Sequence, residues 1–373
     1  MSASKTKRAR AHLVLADGTA FAGEAIGAEG STIGEAVFTT GMTGYQEVLT
    51  DPSYRGQIVA MTAPEIGNTG TTLEDDEAER PHVAGFVVHE LSSRASNWRS
   101  ELDLDGYLRR HGIVAIAGID VRMLTRHLRD HGAQQAAIGT GPLEALAAAA
   151  REAPSMAGQD LTGPVTTKVK YTWTEGSGPW AAGGGAPSRH VVAIDHGMKR
   201  NILRLLVDHG CRVTVMPSTA TAAEVLAEAP DGIFVSNGPG DPAAVKHGIE
   251  AIAGLVGKKP LFGICLGHQM LALALGARTY KMKFGHRGLN HPVKDLSTGK
   301  IEITTQNHGF AVDVASLPSG AKMTHVHLND DTCMGIEHES GAFSVQFHPE
   351  ASAGPHDSRY LFQRFVDRID ASR

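Results

Sequence analysis

Cysteine is scarce in this chain: Cys211, Cys265 and Cys333 are the three in 373 residues. They are far apart and odd in number, which excludes a disulfide framework and a cysteine-based zinc site and suits a reducing cytosol. A basic excess is missing as well. The formal charge of -5 argues against nucleic acid as the main ligand. No apolar run approaches the length of a membrane span. The basic cluster KTKRAR at 5–10 is not followed by the apolar core of a signal peptide, so it reads as a disordered tail. There is no internal repeat and no G-x-x-x-x-G-K-[ST] phosphate loop. With 42% hydrophobic and 20% charged residues, the chain reads as cytoplasmic and globular, and it is long enough for two cores.

The first half opens with HLVLADGTAFAGEAIG, two alternating runs around an Asp-Gly turn, which predicts a β-hairpin. EAVFTT, GQIVAMTA and HVAGFVVHEL are further strand candidates. DVRMLTRHLRDHG predicts a helix, with Asp120 capping its start and Gly132 its end, and PLEALAAAAREA predicts another. This half, 1–173, is expected to be a mixed α+β domain. The Gly/Pro/Ser-rich stretch at 174–188 reads as a linker. From 189 to 373 the rhythm changes. HVVAID, CRVTVMP, DGIFVSNG and PLFGIC are short Val/Ile-rich strands without polar alternation, separated by helical stretches. Strands buried on both faces and alternating with helices predict an α/β fold with a doubly wound, mostly parallel sheet. β-rich segments, KIEITTQNHGFAVD and GAFSVQFHPE, and a last helix, DSRYLFQRFVDRI, follow.

Ligands of such sheets bind beyond the carboxyl ends of the strands. Two segments stand there. PLFGICLGHQM places Cys265 between Gly263 and Gly267, the G-x-C-x-G pattern of a strand-turn-helix elbow that lifts a nucleophile off the sheet. SNGPGDP at 236–242 offers backbone N–H groups at Gly238 or Gly240, where the missing side chain lets a ligand approach. A cysteine nucleophile must become a thiolate, and an imidazole is the usual activator. Among 19 histidines, His348 in FSVQFHPEAS is the best placed, because an extended segment would put Glu350, two residues on, on the same face. The backbone N–H of Leu266 would face the oxyanion of a tetrahedral intermediate. Each signal alone is weak; their joint occurrence in one α/β domain points to acyl transfer to water through a thioester. The pair His325 and His327 in HVH shares a strand face, but no third ligand is evident in the sequence, so no metal is expected.

These segments identify a resemblance. On GICLGHQ, SNGPGDP and FHPE, the second half resembles the class I (triad) glutamine amidotransferases. The whole chain is similar to the small, glutamine-hydrolysing subunits of the carbamoyl-phosphate synthase family. That narrower match rests on TTGMTGYQEVLTDPSYRGQIV at 39–59, PEIGNTG at 64–70, ASNWR at 95–99, KRNILR and QFHPEASAGPHDS. The resemblance implies that Cys265 attacks the side-chain amide of L-glutamine, with His348 as acid/base and Glu350 orienting it. It implies a glutamine pocket of Gly238, Gly240, Leu266, Gln269, Asn307, Gly309 and Phe310. One more contact would come from Gly41, where relatives often carry serine, so that only a backbone contact remains here. It also implies no cofactor in this chain, with ATP and its metal on a large synthetase subunit. That partner would receive the ammonia and make carbamoyl phosphate for arginine and pyrimidine synthesis, in a heterodimer or a higher oligomer of heterodimers. The rivals are the glutaminase subunit of an anthranilate- or guanylate-forming enzyme, which would lack the amino-terminal MTGYQEVLTDPSY domain, a stand-alone γ-glutamyl cysteine hydrolase, and a non-catalytic docking subunit.

Overall fold

A computed structural model describes residues 8–181 and 187–373. Part of the expected tail (5–7) and part of the expected linker (182–186) lie outside the described residues. The chain forms two compact units: 1–50 with 54–156, and 51–53 with 157–373.

In the first unit the strands are β1 (Arg10–Leu15), β2 (Ala20–Gly27), β3 (Ser31–Thr39), β4 (Gln57–Met61), β5 (Glu65–Ile66), β6 (Gly85–Val87), β7 (Glu90–Leu91), β8 (Val114–Ala117) and β9 (Gln134–Gly139). Seven of them close a barrel in the order β1-β2-β8-β6-β4-β3-β9, while β5 and β7 pair separately. The expected hairpin is β1–β2, paired antiparallel from Arg10↔Glu24 to Val14↔Ala20. Side chains alternate between two cores. Val37, Val59 and Met61 pack with Leu104, Tyr107 and Leu108 of one helix, whereas Ala36, Ile58 and Ala60 pack with Leu124 and Leu128 of another. The helix Val121–His131 starts where expected, with the Asp120 carboxylate accepting the Met123 N–H at 2.8 Å, and it ends at Gly132 with φ 98°.

The second unit is built on a ten-stranded sheet. Its strands are β10 (Tyr171–Trp173), β11 (Arg189–Asp195), β12 (Cys211–Pro217), β13 (Gly232–Val235), β14 (Leu261–Ile264), β15 (Arg278–Asp295), β16 (Ile301–Asp313), β17 (Ala321–His327), β18 (Cys333–His338) and β19 (Phe343–Val345). The order is β10-β12-β11-β13-β14-β19-β18-β17-β15-β16. The central run β12-β11-β13-β14-β19 is parallel, as the uninterrupted apolar segments predict. The flanking strands are antiparallel, so the β-rich tail extends the same sheet. Helices cover both faces. Val191 and Ala193 point to a core with Ile202, Leu361 and Phe365; Val192 and Ile194 point to one with Ile252, Leu266 and Met270.

One boundary moves. The division expected at the 174–188 linker falls instead at 156/157, because β10 pairs with β12 and so holds the stretch before the Gly-rich segment on the second unit. Among the described residues, no helix is long and apolar enough to cross a membrane.

Candidate active site

Cys265 sits between β14 and the helix Leu266–Ala274, at φ 53° and ψ -102°. A non-glycine residue holds such a conformation only when its surroundings over-determine it. Three backbone bonds do so: Cys265 N–H to Val345 O at 2.9 Å, Gln269 N–H to Cys265 O at 3.1 Å, and Gly267 N–H to Ser236 O at 3.0 Å. The flanking glycines are steric requirements. A Cβ on Gly267 would lie 2.3 Å from Val235 O, and one on Gly263 would lie 2.8 Å from Gly267 O. Helix and sheet close on each other at this turn, which sequence spacing predicted.

The thiol is buried, and its Sγ lies 3.6 Å from Asn307 O on β16. Two residues earlier on the same strand, Thr305 O accepts the His348 N–H at 2.9 Å. β16 thus braces the elbow and the histidine segment together. The His348 Nδ1 lies 2.7 Å from Glu350 Oε1, the proximity expected from the sequence. The reason differs from the expected one. The segment is not extended: it turns, with Ala351 N–H donating to His348 O at 3.1 Å, and the turn folds Glu350 back under the ring.

Electrostatics separate this imidazole from others. Burial favours its neutral form, yet the Glu350 carboxylate and then Cys265 raise its pKa to about 10. Its Nε2 makes no hydrogen bond to nitrogen or oxygen. For Glu350, burial raises the pKa, but Lys199 and His348 outweigh it and hold the carboxyl at about 2. Lys199 Nζ stands 3.2 Å from Glu350 Oε1, and Asn201 Nδ2 donates to Glu350 O at 2.6 Å. These two come from KRNILR, whose placement under the carboxylate had no signal in the sequence.

SNGPGDP lies beside the elbow. A Cβ on Gly238 would meet His196 O at 2.2 Å and Leu266 Cδ2 at 2.8 Å. Gly240 has φ 94°, and a Cβ there would lie 2.6 Å from Gln159 O. Both glycines therefore answer close approach by the protein's own chain. Leu266 is the first residue of its helix, where N–H groups have no intrahelical acceptor. Gln269 is buried and its Nε2 donates to Phe310 O at 2.8 Å and to Gln346 Oε1 at 2.9 Å, which fastens the helix to β16. Asn307, Gly309 and Phe310 follow one another along β16.

Asp51 was not foreseen. Residues 51–53, within DPSY, belong to the second unit, where Asp51 Oδ2 accepts Asn307 Nδ2 at 2.8 Å and Ser53 Oγ lies 2.9 Å from Asn237 Nδ2. Gly41 belongs to the first unit, in the turn after β3, where its N–H donates to Thr39 Oγ1 at 3.4 Å.

Residues 13–138 match the carbamoyl-phosphate synthase small chain, CPSase domain, and residues 192–368 match glutamine amidotransferase class-I. The carbamoyl phosphate synthase small chain of Syntrophotalea carbinolica is 56% identical over 98% of this chain and 99% of its own length. The chain belongs to the carbamoyl phosphate synthase small chain family. Other small chains are similar along nearly their whole length. Those of Synechocystis (55% identical, 95% of this chain, 94% of the relative) and Escherichia coli K12 (54%, 97% and 97%) are two of them. The match over residues 13–138 covers the amino-terminal half, the part that the anthranilate and guanylate rivals would lack.

Proposed function

We propose that this chain is the glutamine-hydrolysing small subunit of a carbamoyl-phosphate synthase. The observation that carries the reading is a cysteine held at positive φ on an elbow, with a carboxylate-paired imidazole turned towards it in the same buried pocket.

The Cys265 thiol passes its proton to His348, and the thiolate attacks the Cδ of glutamine. The C=O electron pair moves to oxygen, where the N–H groups of Leu266 and Gly238 stabilise the oxyanion. Collapse of the tetrahedral adduct breaks the C–N bond. His348 protonates the departing nitrogen, and ammonia leaves a glutamyl thioester on Cys265. Water, giving a proton to His348, then adds to the thioester and releases glutamate and the thiol. Throughout, Glu350 keeps the imidazole oriented and favours its charged form, and Lys199 keeps Glu350 ionised.

Gly240, Gln269, Asn307, Gly309 and Phe310 complete the pocket in this proposal, with Asp51 orienting the Asn307 amide. Gly41 would add only a backbone contact. We assign no cofactor or metal to the catalytic step in this chain; ATP and its metal belong to the large subunit, which takes the ammonia and bicarbonate onward. Arginine and pyrimidine synthesis in the cytoplasm is the corresponding place of work. The assembly is a heterodimer that can associate further.

Ammonia release from glutamine by the purified chain, alone and with the large subunit, ATP and bicarbonate, tests this reading. A slow basal rate that rises strongly with the partner and disappears in Cys265→Ala is expected. A rate that ignores the partner would favour the stand-alone γ-glutamyl hydrolase, and one that survives Cys265→Ala would remove the nucleophile.

A further inference from the structure

Away from the cysteine pocket, the second unit gathers histidines that the mechanism does not use. His286 and His291 lie on β15, and His327 ends β17. Asp330 stands in the turn that leads to β18. The two histidines of HVH meet different partners. His325 is 3.9 Å from Asp295, whereas His327 joins His286 and Asp330. One ligand atom from each of these last three lies within 4.8 Å of the others. The His286 and His327 rings stack at 4.2 Å. His286 Nε2 is 2.8 Å from Asp330 Oδ2, and His327 Nδ1 is 3.4 Å from Asp330 Oδ1.

We propose that His286, His327 and Asp330 form a binding site for a divalent transition-metal ion of the zinc type, with His291 positioning His327. Two imidazoles and one carboxylate suit zinc, cobalt or nickel, and have too few oxygens for calcium or magnesium. A coordinating histidine usually donates its second N–H to a fixed acceptor. That partner is present: His327 Nε2 lies 3.0 Å from His291 Nδ1, and His327 Nδ1, which accepts the Asn329 N–H at 3.1 Å, would exchange that bond for the ion. His286 supplies an independent indication. It is buried, with 6% of its surface exposed, and its Nδ1 has no hydrogen-bond partner. Moving the ring proton to Nδ1 frees the Nε2 lone pair and breaks no bond except the one to Asp330, which the ion would replace. Asp330, with 40% of its side chain exposed, gives the ion access from solvent.

The place of the site suggests its effect. β15 pairs with β16 so that His286 opposes His308 and Arg287 opposes Asn307. The ion would clamp β15 to the β17–β18 turn one residue pair from Asn307, and so stiffen the sheet edge that carries the glutamine pocket.

The test titrates Co²⁺ into the full-length Cys265→Ala chain, which removes the reactive thiol as a competing ligand. Visible d–d absorption reports coordination, and Zn²⁺ is used for displacement. One equivalent of Co²⁺, displaced by Zn²⁺ and accompanied by a higher thermal midpoint, is expected. Asp330→Asn and His327→Ser should each weaken binding by roughly tenfold or more. Asp330→Asn changes a partly exposed side chain, which guards against a loss caused by misfolding. Absence of a stoichiometric band would overturn the proposal. So would one equivalent that survives both substitutions, since the ion would then sit among the other histidines of the chain.

Discussion

Cys265 and Cys333 differ little in burial, at 3% and 1% exposed, and both belong to the second unit. Cys333 opens a β-strand, and its neighbours are apolar. Burial pushes its thiol up to about 12, so it remains protonated and behaves as a small hydrophobe. Cys265 stands at positive φ on an elbow and has an imidazole paired to a carboxylate beside it. A matching contrast holds among the histidines. His268 and His348 are both fully enclosed. Burial takes His268, bonded to Ser344 Oγ, down to about 3, whereas Glu350 and Cys265 overcome burial at His348. Burial sets the scale of these shifts, and the neighbouring charge sets their sign.

The sharpest way to break the comparison is to exchange the cysteines' fates. Cys265→Ala should lower the rate of ammonia release by on the order of 10⁴-fold or more, while Cys333→Ala should leave it within about twofold. If both substitutions cost the same, the elbow has no special chemistry. Removing the charge beside His348 comes next. Glu350→Gln should reduce kcat by roughly 10²- to 10⁴-fold, and NMR titration of the His348 ring should move downwards, towards the behaviour of His268. An unmoved titration would assign the raised pKa to some other group.

The same pair predicts a pH dependence of stability. Glu350, lowered from 4.5 to about 2, contributes fully above about pH 4.5 and loses that contribution as the pH falls towards 2. His348, raised from 6.5 to about 10, contributes fully below about pH 6.5 and loses it as the pH rises through 10. Urea unfolding across pH should show both limbs, and Glu350→Gln should flatten them.

Smaller effects sharpen the steric and polar parts. Gly267→Ala forces a Cβ to 2.3 Å from a carbonyl and should cost about 1–3 kcal/mol in unfolding. Gly163→Ala, where a Cβ meets nothing within 4 Å, should be nearly neutral. Asp51→Asn should weaken the hold on Asn307 by about 1 kcal/mol, read as a several-fold higher KM for glutamine. In the barrel unit, Asp120→Ala removes a helix cap and should lower stability by about 1 kcal/mol with the rate unchanged.

Strands with uninterrupted apolar runs, such as HVVAID and PLFGIC, were legible in the sequence because burial on both faces leaves a plain signal. The barrel was not. β8 and β9 are short segments whose alternation is diluted by alanine and glycine, and ring closure depends on the distant pairing of β1 with β9. β15 was also missed, since histidine, lysine and glycine interrupt it and bulges break its register.

By itself the sequence marked the candidate nucleophile and its glycine frame, because the close approaches at the elbow demand glycine there, and it marked the candidate histidine and carboxylate by their spacing. Tertiary structure decided what surrounds them. Lys199 beneath Glu350, Asp51 against Asn307, and Asp330 between His286 and His327 are all long-range meetings. They join segments far apart in the chain, which no local pattern of residues encodes.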